Sequence, residues 1–95
     1  MLKNETLRNE TVEKIYKKIG ENVKKYREQK GLSQLELALK MGFKSISLIS
    51  QAELYKNKRH FNVEHLAKIA YILDIRIEKL FEGVNEIIKE EKKEN

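Results

Sequence analysis

Apolar positions recur at helical spacing through most of the chain. Ile15, Ile19, Val23 and Tyr26 follow one another at intervals of four, four and three. Such a stripe predicts a helix from about residue 12 to residue 30, stopped by Gly31. Residues 1–12 either extend this helix or fray from it. Ser33 followed by Glu36 at the third helical position forms a capping box that opens a short second helix. Its inward positions are expected to be Leu35, Ala38 and Leu39, with Gly42 ending it after Met41. A third helix should begin near Lys44 or Ser45, run to about Leu54 and bury Leu48, Ile49 and Ala52. Residues 55–60 (YKNKRH) read as a basic loop. Asn62 then caps a helix over about 63–73, with Phe61 and Leu66 as its hydrophobic staple. A tight connection, Asp74–Arg76, leads into a fifth helix. Along it Ile77, Leu80, Phe81, Val84, Ile87 and Ile88 continue the apolar stripe, and a charged tail from Lys89 closes the chain.

Composition sharpens this all-α picture. The 95 residues include no proline, four glycines and 37% charged side chains, as expected of helices with few irregular connections. A domain of this size buries a modest share of its surface and often gains stability by dimerising. Cysteine is absent, so disulfides and thiolate metal sites are excluded. The longest apolar run is about Ala70–Leu73, too short for a membrane span, and the first residues lack the apolar segment of a signal peptide. A cytoplasmic protein is expected, with the glycosylation triplets at Asn4 and Asn9 coincidental. Charge is segregated: residues 13–59 carry twelve Lys/Arg against five Asp/Glu, a net of +7, whereas residues 60–95 carry a net of −2. That footprint suits a polyanion, most often nucleic acid. His60 and His65 are spaced to lie on different helix faces, the glycines are isolated, and no nucleophile–base set is recognisable. Neither a catalytic residue, a metal nor a cofactor is therefore expected, and the chain does not read as an enzyme.

Several separated segments carry a family resemblance: Gly31 to Gly42 (GLSQLELALKMG), Ile49 to Glu53 (ISQAE), Leu66 to Ala70 (LAKIA) and Ile77 to Phe81 (IEKLF). In this order they resemble the Cro/C1-type (XRE) helix-turn-helix family over about residues 15–82. The resemblance implies a five-helix, lambda-repressor-like DNA-binding domain over residues 12–82, with the helix-turn-helix at helices two and three. The recognition helix would be about 45–54, lying in the DNA major groove. Residues 1–11 become an N-terminal extension, and residues 83–95 an extension of helix five with the charged tail.

Matched residue by residue, Gln34 takes the place of a glutamine that family members direct at the DNA backbone, beside the free N–H groups of a helix start. Ser45, Ser47, Ser50 and Gln51 become candidates for base edges, glutamine being suited to adenine. Lys44, Lys56, Lys58 and Arg59 become candidates for phosphates, and Glu53 an acidic residue of structural role. The chain departs from the pattern in carrying one residue more between Gly42 and Glu53 and about two more between Glu53 and Leu66. Which of Lys44, Ser45, Ile46 or Ser47 faces DNA is left open by that shift. Asp74 replaces the usual glycine after helix four, and Arg76 the usual cap of helix five.

The resemblance implies a transcriptional regulator, by default a repressor, on double-stranded DNA. Phe81, Val84, Ile87 and Ile88 extend beyond the family core and are expected to form a homodimer seam, which calls for a palindromic operator. The alternative is that they fold back on helix one beside Ile15 and Ile19. Two other readings stay open. One is an antitoxin or controller whose main partner is a toxin-like protein; the other is a binder that coats nucleic acid by charge alone.

Overall fold

The computed structural model describes residues 5–94 and contains, among them, helices and no strands. Residues 1–4 of the N-terminal extension, Asn4 of the first glycosylation triplet included, and Asn95 of the tail lie outside the described residues. The helices are α1 (Asn9–Gln29), α2 (Gln34–Lys40), α3 (Ser47–Ala52), α4 (Val63–Leu73) and α5 (Val84–Glu94). Two 3₁₀ turns, Lys56–Lys58 and Ile77–Phe81, stand before and after α4. No helix among the described residues is long and apolar enough to cross a membrane.

Helix boundaries follow local chemistry. Ser33 accepts a hydrogen bond from the Glu36 N–H, and Glu36 accepts one from the Ser33 N–H, completing the expected capping box of α2. Asn62 caps α4 in the same reciprocal way, with His65 at the third position supplying the returning acceptor. Three helices end in the paired hydrogen bonds of a Schellman motif. The Leu32 and Gly31 N–H groups return to Arg27 and Glu28, those of Phe43 and Gly42 to Ala38 and Leu39, and those of Ile75 and Asp74 to Ala70 and Tyr71. The third motif holds Asp74 rather than glycine at φ 54°, a left-handed conformation that short polar side chains tolerate.

The core joins Ile19 and Val23 of α1 to Leu37, Ala38 and Met41 around α2, Ile49 and Ala52 of α3, Leu66, Ile69, Ala70 and Leu73 of α4, and Phe61 and Leu80. Within α2 the inward face differs from the expected one. Leu37 is fully buried, whereas Leu35 and Leu39 are 49% and 55% exposed. Leu37, Ala38 and Met41 stand at i, i+1 and i+4, which sets the buried direction and turns Leu35 and Leu39 more than a quarter-turn away. The third helix is also shorter than expected, starting at Ser47 and ending at Ala52, and α1 starts earlier, at Asn9.

The fifth helix is not continuous. Ile77–Phe81 winds as a 3₁₀ turn, Gly83 takes φ 84°, and α5 starts afresh at Val84. The break redirects the chain, and α5 packs along α1. Val84 joins the core edge, Ile87 and Ile88 are half-buried, and Phe81 is 40% exposed. One chain thus covers part of the stripe that was expected to lack cover in a monomer, as the fold-back alternative requires.

Two polar anchors hold this return. Asn22, buried in α1, donates to the carbonyls of Leu80 (3.0 Å) and Glu82 (2.9 Å), and the Tyr26 hydroxyl donates to the Glu82 carboxylate. Near the far end of α5, Glu91 is 5% exposed and accepts from the Arg8 N–H at 3.1 Å, capping the start of α1. The Thr11 hydroxyl and the Arg8 N–H together hold the Glu91 carboxyl below the usual carboxylate range.

A Cβ on Gly20 would sit 2.5 Å from the Ala52 carbonyl oxygen, a backbone atom that cannot swing aside. Gly20→Ala should destabilise the domain by about 1–3 kcal/mol despite alanine's better helix propensity, lowering the melting temperature by several degrees. An unchanged or raised melting point would disprove the close approach. Glu91 has a depressed folded-state pKa, so its contribution is complete above the unfolded carboxylate pKa of about 4.3 and is lost as pH falls through the folded value. Between neutral pH and pH ~3, Glu91→Gln should flatten the acid loss of stability relative to the parent; parallel curves would refute the linkage.

Candidate nucleic-acid interface

The helix-turn-helix is built around one buried carboxylate. Glu53, 2% exposed, follows the last residue of α3. Arg27 of α1 grips it bidentately, Nε to Oε2 at 2.7 Å and Nη2 to Oε1 at 3.0 Å. Arg27 Nη1 also donates to the Leu32 carbonyl at 2.8 Å, which ties in the α1–α2 turn. Gln34, the first residue of α2, donates its amide N–H to Glu53 Oε1 at 3.1 Å. The ends of α1 and α3 and the start of α2 therefore meet at one ion pair. Gln34, expected at a phosphate, has one amide donor engaged inward and a second available at the helix start.

On α3 the division of faces is clear. Ile49 and Ala52 are buried, Ser50 and Gln51 are half-buried, and Lys44, Ser45, Ile46 and Ser47 at the leading tip are all exposed. The Ser45 hydroxyl accepts from the Ser47 N–H at 3.4 Å, and the Ser50 hydroxyl donates to the Ser47 carbonyl at 3.3 Å. Because α3 begins only at Ser47, residues 44–46 form an irregular approach to the helix that presents all their side chains outward.

The basic loop is held in an uncommon conformation. Tyr55, Asn57 and Lys58 all have positive φ, between 55° and 60°, without a glycine among them. Left-handed backbone in such residues costs on the order of 1 kcal/mol each and persists only where surrounding contacts impose it. Aromatic rings supply those contacts. His60 stacks on Tyr16 of α1 at 4.0 Å between centroids, and Tyr55 lies nearly parallel to Tyr16 at 5.9 Å. Lys56, Lys58 and Arg59 remain exposed, and among the described residues none has an acidic partner.

A cleft of about 350 Å³ opens between the tip of α3 and the start of α4, lined by Phe43, Lys44, Ser45, Ser47, Leu48, Arg59 and His65. It brings two of the expected phosphate residues, Lys44 and Arg59, together with two of the expected base-edge residues. Gln34, Gln51, Lys56 and Lys58 do not line it. His65 accepts from the Asn62 N–H through Nδ1, and burial lowers its pKa, so the ring is neutral at physiological pH. No cluster of His, Cys, Asp or Glu among the described residues could hold a metal ion.

Sequence reasoning did not reach the Arg27–Glu53 pair or the Tyr16 stack, and it left open whether Ile46 faces DNA. Arginine and glutamate are ordinary helix residues with nothing in their spacing to couple them, and Tyr16 reads as one more position on a helix flank. Ile46 carried a legible signal, an apolar residue in a polar run.

A helix-turn-helix family model, of the Cro/C1 type, matches residues 23–80. No curated protein matches the chain. The matched segment runs from the middle of α1 to Leu80, taking in the buried ion pair, the tip of α3 and the basic loop. The chain belongs to the Cro/C1-type (XRE) helix-turn-helix family of DNA-binding regulators.

Proposed function

We propose that this protein is a transcriptional repressor that reads an operator through α3 and grips its backbone through Lys44, Lys56, Lys58, Arg59 and Gln34. The convergence of Lys44, Ser45, Ser47 and Arg59 on one cleft at the tip of α3 supports this reading most directly. Cations beside hydroxyls at the leading end of a recognition helix suit a phosphate flanking the bases that the helix contacts. The base-edge set is Ser45, Ser47, Ser50 and Gln51, and an unpaired cationic loop supplies sequence-independent attraction.

Two sets of substitutions separate these roles. Replacing Lys56, Lys58 and Arg59 together by alanine should weaken binding to every sequence and reduce the salt slope by up to about 0.9 per lost phosphate contact. Gln51→Ala should instead cost about 1–3 kcal/mol at one preferred base pair and relax the preference there. Salt titrations by fluorescence anisotropy, together with binding-site selection, measure both. Equal slopes for parent and triple variant, or an unchanged consensus for Gln51→Ala, would remove those residues from the interface.

The repressor is proposed to act as a homodimer on a palindromic site, with recognition helices about 34 Å apart. With Val84, Ile87 and Ile88 partly covered by α1, Phe81 is the most exposed member of the expected seam. Sedimentation should show a dimer at micromolar concentration that Phe81→Lys weakens. A parent that sediments as a monomer free and binds operator half-sites independently would contradict the dimer.

A further inference from the structure

We infer that Ile46 reads a thymine by its 5-methyl group at the leading tip of α3. The inference rests on the operator-reading function above and adds an apolar contact to its polar set. Ile46 immediately precedes α3, with φ −85° and ψ −2°, and its carbonyl accepts from the Ser50 N–H at 2.8 Å. Its backbone is thus fixed by the helix, while its side chain is 42% exposed.

Neither packing nor capping accounts for an isoleucine here. The position ahead of a helix favours Ser, Thr, Asp or Asn, whose side chains bond the free N–H groups, and isoleucine is among the poorest choices. Ile46 makes no capping bond, and among the described residues Ser45, one residue earlier, supplies the side-chain acceptor to the first turn. Its neighbours Lys44, Ser45 and Ser47 line the cationic cleft at the same tip. An apolar side chain is therefore held at the point of the molecule that enters the major groove, flanked by groups suited to phosphate. The apolar feature that DNA displays in that groove is the thymine 5-methyl group. A β-branched side chain with few rotamers is well suited to pack on it at a small ordering cost.

The test uses the full chain and the consensus duplex from binding-site selection. Each thymine of the half-site is replaced in turn by uracil, which removes only the methyl group. For the parent, one such replacement per half-site should weaken binding about fourfold, the worth of burying one methyl. Ile46→Ala should bind the thymine duplex correspondingly less well and be insensitive to uracil at that one position, while Ile46→Thr, which keeps one methyl, falls between. Melting temperatures within a degree or two of the parent would assign these losses to the contact rather than to folding. The inference is overturned if parent and Ile46→Ala lose equally at every uracil, or if no thymine methyl matters to the parent. A clear consensus with that outcome leaves the operator-reading function standing; a selection that yields no consensus overturns both.

Discussion

Glu53 is the carboxylate on which the DNA-binding surface depends. Its two oxygens take three hydrogen bonds, from Arg27 Nε, Arg27 Nη2 and Gln34 Nε2, so three helices are referenced to one point. A buried ion pair is weak evidence for stability by itself, since desolvating two charges consumes most of the attraction between them. What the pair supplies is geometry. A bidentate guanidinium–carboxylate contact has one favourable orientation, and removing either partner would leave an unpaired buried charge. In the same region the backbone at the end of α3 lies directly against α1 at Gly20. Alignment of α3 against α1 is thus set by a polar contact on one side and by a missing side chain on the other.

From that frame the candidate interface extends as a set of locally unfavourable choices. Three non-glycine residues in the basic loop occupy left-handed backbone, and an isoleucine stands where a capping side chain would serve the helix better. Elsewhere the chain follows the local rules closely, with capping boxes at Ser33 and Asn62 and glycine at two of three Schellman turns. Departures from local preference concentrate where the surface is cationic and faces outward. Sites that act on a ligand are where such departures are expected, held in place by the surrounding structure. Stacking of His60 and Tyr55 on Tyr16 holds the loop in place before any ligand arrives.

The return of α5 onto α1 shows how a small domain enlarges its core. The break at Gly83 lets the chain reverse and lay an amphipathic helix against α1, while Asn22 satisfies the carbonyls at the break. Glu91 then caps the first turn of α1 from the end of α5, joining the two ends of the described chain through a carboxylate that is charged at neutral pH. Apolar surface that a shorter chain would leave open is partly covered in this way.

Much of this architecture was readable from residues close together in the sequence. Capping boxes, Schellman glycines and the 3.6-residue stripe of α1 are local, so the order of helices and the limits of α4 followed from spacing alone. Segregated charge and the tandem short helices likewise pointed to a DNA-binding helix-turn-helix, because both are properties of contiguous segments. Residues distant along the chain were decided only by packing. Leu37 rather than Leu35 or Leu39 turned inward because Met41, one turn on, had a core to join, and two helical turns carry too little periodicity to show it. The fifth helix broke at Gly83 because α1 offered a surface for Val84 to pack against, whereas the apolar stripe reads equally well as one straight helix. Arg27 and Glu53, twenty-six residues apart, became partners for the same reason. A side chain's spacing fixes which face of its own helix it occupies, but only the tertiary structure determines what that face meets.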